Sequence, residues 1–126
     1  MASEILHEPS DKLTPETIHI HRAIVSLMEE LEAIDWYRQR ADACGEPQLR
    51  AILEHNMNEE IEHASMVLEW IRRNVPKFDE AMKTYLFTTG NVVEIEKAAE
   101  GGEKKPTPAA DARAKARVTI GDMKGS

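Results

Sequence analysis

The sequence predicts an all-α protein: an antiparallel hairpin of two long helices that pairs with a second copy into a four-helix bundle, followed by a short C-terminal helix and a disordered tail. Three observations carry this. Apolar side chains recur at alternating steps of four and three, the period of one helix face, through two stretches of roughly 28 residues each. A short break at Ala43-Cys44-Gly45-Glu46 separates the stretches, so the helices double back on each other. Each stripe also carries a carboxylate in an apolar slot. The first runs Ala23, Leu27, Glu30, Ile34, Tyr37, Ala41, and the second Leu53, Met57, Glu60, Ala64, Val67, Ile71.

Residues 1–13 lack periodicity and read as an extended arm. Thr14-Pro15-Glu16 starts the first helix, with Thr as N-cap, Pro at the first helical position and an acid in the first turn. This helix runs to about Asp42. Pro47 opens the second, which ends near Asn74 with Arg72 and Arg73 complementing the helix dipole, before Pro76. Each helix is about 42 Å long at 1.5 Å per residue. Val25, Glu29, Glu32 and Trp36 form a neighbouring row on the first helix, more surface than one hairpin can cover. Pro76 to Gly90, with Phe78, Met82, Tyr85, Leu86 and Phe87, reads as a shorter third helix. Thr88 to Asn91 is a turn, and Val92 to Ala99 a fourth helical piece. Residues 1–99 thus form the helical domain. Residues 100–117, rich in Gly, Pro, Ala and charge, read as a flexible linker, and residues 118–126 as a terminal peptide carrying Val118, Ile120 and Met123.

At 126 residues the chain is one small domain, too short for a self-contained bundle of four long helices. Aromatics make up 5% and charged residues 31%, which suits helices better than a β-sandwich. The net charge of −7 is uneven: the last 27 residues hold six Lys/Arg against four Asp/Glu, leaving an acidic body. Such a body argues against nucleic acid and favours cations, although acidity also serves solubility. No apolar run spans a bilayer and no secretory leader is apparent. The lone Cys44 fits a reducing compartment, so a cytoplasmic location is expected.

Glu60 and His63 are three apart and project from one helix face. A carboxylate among aliphatic side chains asks for a cation or a strong hydrogen-bond partner. Di-iron carboxylate bundles use one Glu from each of two helices and a Glu-x-x-His from each of two others. Glu30, Glu60 and His63 supply half of that set, so the expected metal site lies at a homodimer interface. The alternative is that Glu60 and His63 only hydrogen-bond across a dimer.

Glu29-Glu30-Leu31-Glu32-Ala33-Ile34-Asp35-Trp36-Tyr37, the Glu59-Glu60-Ile61-Glu62-His63 run and Thr84-Tyr85-Leu86-Phe87-Thr88 together resemble the encapsulated ferritins over about residues 15–99. The resemblance implies a short ferritin-like subunit packed as cargo inside an encapsulin nanocompartment. Two subunits complete a ferroxidase site, five dimers close into a ring, and mineral is stored in the shell. It places the iron ligands on Glu30, Glu60 and His63, with Glu60 bridging. An inner metal-uptake site falls on Glu29 and Glu32, with Trp36 as gate. Tyr37 matches a tyrosine that hydrogen-bonds a ligand carboxylate. A weaker outer metal site falls on His55, Glu59 and Glu62. The terminal peptide resembles a shell-targeting sequence, with Asp122 where serine is usual and Met123 where leucine is usual.

The expected activity is oxidation of Fe(II) to Fe(III) with O2, for iron storage. Iron is the expected metal, two ions per dimer interface, with calcium as a candidate at the secondary sites. Alternatives are a rubrerythrin-like peroxidase on the same metal pair and a non-catalytic helical adaptor. Glu29 and Glu32 also read as a solvated face, Trp36 as packing, and His55, Glu59 and Glu62 as surface. His19 and His21 suit surface or packing roles, and Arg38, Arg40, Arg50, Arg72 and Arg73 read as outer ion-pair partners.

Overall fold

The structure, a computed structural model, describes residues 5–101. The expected terminal peptide and nearly all of the expected linker therefore lie outside the described residues. Four α-helices follow a short 3-10 turn: α1 Pro15–Ala43, α2 Pro47–Asn74, α3 Pro76–Tyr85 and α4 Val92–Gly101. Among the described residues there is no strand, and no helix is long and apolar enough to cross a membrane.

The boundaries follow local chemistry. Thr14 Oγ1 accepts the Thr17 N–H at 3.0 Å, and Pro15 occupies the first helical position. At the other end of α1, Cys44 adopts an extended conformation and its N–H returns to the Ala41 carbonyl at 3.3 Å. The Glu46 carboxylate accepts the Leu49 N–H at 2.7 Å, capping α2 where the sequence shows only a proline start. Glu69 binds Arg72 and Arg73, each at 2.7 Å, and so closes the last turn of α2.

Three details differ from the sequence reading. The arm contains a 3-10 turn at Ser10–Lys12. α3 stops at Tyr85, because Phe87 and Gly90 both take positive φ (61° and 94°) and cannot continue a helix. α4 reaches Gly101, two residues past its expected end, with the Asn91 side-chain oxygen Oδ1 accepting the Val93 and Glu94 N–H groups at its start.

The described residues group into two units, 5–74 and 75–101. In the first, α1 packs along α2. None of the twelve stripe residues is exposed, and the buried residues Ala41, Ala64 and Ile71 all belong to the stripes. Small alanines let the helices approach and Ile71, 1% exposed, fills the remaining space. A core of three residues is thin for helices of 29 and 28 residues. Ile24, Leu31, Leu49, Ile52, Ile61, Met66 and Trp70 stay exposed on the hairpin. In the second unit α3 packs on α4, and Phe87 is 81% exposed.

Candidate metal centre

Glu30 sits near the middle of α1, and Glu60 and His63 near the middle of α2. The stripe period turns Glu30 and Glu60 toward the seam between the helices, and His63, one turn past Glu60, joins them from the same helix. His63 Nδ1 stands 3.3 Å from Glu60 Oε1 and 3.7 Å from Glu30 Oε1. One ligand atom from each of the three residues lies within 4.8 Å of the others, and all three side chains are half-buried. Ligands about 2.1 Å from an ion and at right angles to each other stand about 3.0 Å apart, so side-chain adjustments of about 1–2 Å would bring the trio onto one cation. Among the described residues no other cluster of His, Cys, Asp or Glu meets this condition.

Without a cation, Glu30 is the carboxyl favoured to hold a proton, facing the Glu60 carboxylate. The hydrogen bond that its protonated form donates to Glu60, together with burial and the Glu60 charge, pushes Glu30 above the usual carboxylate range. The same bond, with help from His63, holds Glu60 below it. A divalent ion would replace that proton and draw both groups into the ionised form. Carboxylate oxygens with one imidazole form a donor set that iron, manganese and zinc all accept.

The remaining candidates are more open. Glu29 is exposed and Glu32 half-buried; they share one side of α1, and the Glu29 charge is felt at Glu30. Trp36 is 49% exposed. Tyr37 is half-buried on the metal stripe, and within the single chain no hydrogen bond joins it to Glu30, Glu60 or His63. His55, Glu59 and Glu62 are all exposed and are not brought within ligand reach of one another. Arg50, Arg72 and Arg73 pair with glutamates as the sequence suggests. Arg38 and Arg40 do not, among the described residues; the Arg40 guanidinium lies over the Trp36 and Tyr37 rings. An open groove of about 570 Å³, lined by His19, Arg22, Ser26, Met66, Val67 and Trp70 among others, flanks the trio on the side away from the hairpin turn. The sequence contains no signal for it, because its lining comes from segments of α1 and α2 that lie far apart in the chain.

The model of the EncFtn-like family matches residues 5–89. An encapsulated ferritin-like protein of Rhodospirillum rubrum is 51% identical over 127 aligned positions, covering 98% of this chain and 91% of the relative. A ferritin-like protein of Thermotoga maritima is 50% identical over 78% of this chain and 86% of its own. An encapsulin nanocompartment cargo protein of Myxococcus xanthus is 34% identical over 79% of this chain and 80% of its own. A crystal structure of a Nitrosomonas europaea protein superposes with a TM-score of 0.67 at 55% identity, covering 69% of this chain and 96% of that one.

Proposed function

The chain belongs to the EncFtn-like family, and from that membership we propose that it is a ferroxidase. It oxidises Fe(II) to Fe(III) with O2 at a di-iron site that two copies complete, as cargo that stores iron inside an encapsulin shell in the cytoplasm. The observation that carries this reading is the Glu30–Glu60–His63 trio, which offers too few ligands for two ions and lies beside an uncovered apolar surface. A second copy related by a two-fold axis supplies the missing ligands and covers that surface. The names of the Rhodospirillum and Myxococcus relatives support the place in an encapsulin shell.

Charge explains why this set favours turnover. Two copies of Glu30 and Glu60 carry four negative charges, matching two divalent ions. Each Fe(II) gives up one electron, and one O2 takes both with two protons, leaving as hydrogen peroxide. The four carboxylates then face two excess positive charges, which favours hydroxide capture or release toward mineral. By resemblance to the family, Glu60 is the bridging ligand and Glu30 and His63 are terminal. Glu29 and Glu32 form the uptake site, with Trp36 as gate, and Tyr37 hydrogen-bonds a ligand carboxylate across the dimer. His55, Glu59 and Glu62 are a weaker outer site, open to calcium. The dimers assemble as a ring of five.

Stopped-flow absorbance after anaerobic Fe(II) loading and mixing with air tests the core of this. Glu30→Ala, Glu60→Ala and His63→Ala should each lose the fast oxidation phase; wild-type rates in all three would remove them from the site. Hydrogen peroxide offered in place of O2 separates ferroxidase from peroxidase chemistry.

A further inference from the structure

Arg40 lies one helical turn past Trp36 and Tyr37, its guanidinium carbon 5.9 Å from the centre of the Trp36 ring and 5.4 Å from that of Tyr37. Both distances fall within the range where an aromatic face attracts a cation. Acids outnumber bases in this chain, 23 to 16. Even so, among the described residues no carboxylate pairs with Arg40, whereas Arg50, Arg72 and Arg73 each hold a glutamate. Tyr37 stands two turns past Glu30 on the same stripe, and one fixed positive charge lies over both it and Trp36, the two aromatic side chains of α1. Trp70, the other tryptophan, has no such cation over it.

We propose that Arg40 is a positioning residue that pins Trp36 and Tyr37 and makes both rings harder to oxidise, so that O2 draws its electrons from iron and not from the protein. Taking an electron from a ring leaves positive charge on it, which a guanidinium at this distance opposes. Trp36 is half in solvent and Tyr37 half-buried, so neither ring is protected by burial alone. The source of the oxidant rests on the ferroxidase reading; the shielding itself does not.

Two arms keep those apart. In the first, full-length apo protein meets hexachloroiridate(IV), a one-electron oxidant. Two equivalents of the metal complex each take one electron and become Ir(III), water adds one oxygen to the oxidised ring, and two protons leave to solvent. Peptide mass mapping reads loss of the Trp36–Tyr37 peptide relative to the Trp70 peptide. Arg40→Gln should raise that ratio about two- to fivefold, the scale of an exposed cation–π contact, and Arg40→Lys should stay near wild type. An unchanged ratio in Arg40→Gln, or an equal rise in both variants, overturns the proposal.

In the second arm, Fe(II) and air replace the iridate. Hydrogen peroxide from the site adds one oxygen to a ring C–H bond and leaves as water. Arg40→Gln should show extra oxidation of the Trp36–Tyr37 peptide that disappears when Glu60→Ala is added. Iron oxidised at the wild-type rate with no extra ring oxidation in Arg40→Gln also overturns the proposal. If the first arm holds while wild-type protein oxidises no iron, the ferroxidase reading falls and the shielding by Arg40 stands.

Discussion

Glu30 and Glu60 show how a pair of like residues acquires opposite acidities. The hydrogen bond that protonated Glu30 donates to the Glu60 carboxylate raises Glu30 and lowers Glu60. The signs give different pH windows. The raised Glu30 stabilises the metal-free protein while it keeps its proton, and that contribution is lost as pH rises through its raised value. The depressed Glu60 contributes above the usual carboxylate range, and its contribution is lost as pH falls through its lowered value. Cation binding must expel the Glu30 proton. At mildly acidic pH, calorimetry with Zn(II) in buffers of different ionisation enthalpy should therefore report proton release, and Glu30→Gln should lose it. Equal release from both proteins would place the proton elsewhere. Ile71 poses a simpler question. As the one large side chain with 1% exposure, its replacement by Ala should cost about 2–5 kcal/mol, read by urea unfolding at fixed protein concentration.

At the scale of elements, the helices are set by their ends more than by their interiors. Thr14 holds the start of α1, and Thr14→Ala should cost about 1 kcal/mol, measured as a shift in the thermal midpoint. The last turn of α2 is fastened by Glu69, whose carboxyl the Arg72 and Arg73 guanidiniums pull down to about 2. A depressed value means the fastening is present above the usual carboxylate range and is lost as pH falls through about 2. Glu69→Gln should speed amide exchange at residues 72–74 at neutral pH and leave the middle of α2 unchanged. The solvent exposure of all three side chains keeps the effect local.

For the whole molecule, incompleteness is the main physical fact. The hairpin buries three residues and leaves a row of large apolar side chains in water. A second copy would bury them, and a metal bound only between copies would add its binding energy to association. Native mass spectra should therefore show a larger subunit count with Fe(II) than in apo protein; identical counts would uncouple metal from assembly. Deleting Val118 to Ser126 should abolish co-purification with an encapsulin shell and leave iron oxidation intact, since the peptide contains none of the proposed ligands.

The sequence by itself determined the helical hairpin, its two long elements and the stripe on which Glu30, Glu60 and His63 sit. Periodicity, prolines and caps are local, and each is fixed by residues within a turn or two. It was silent on the Glu46 cap and on the 3-10 turn in the arm, and it assigned Arg40 to an ion pair that the structure does not form, because a long side chain chooses among partners that a linear pattern weighs equally. Pairing with an acid and stacking on a ring both satisfy a guanidinium at helical spacing. Only the tertiary structure decided that the carboxylates of α1 and α2 meet at one level, together with His63, within reach of one cation. That depends on how far two helices slide along each other, which the packing of Ala41, Ala64 and Ile71 fixes and no single helix encodes.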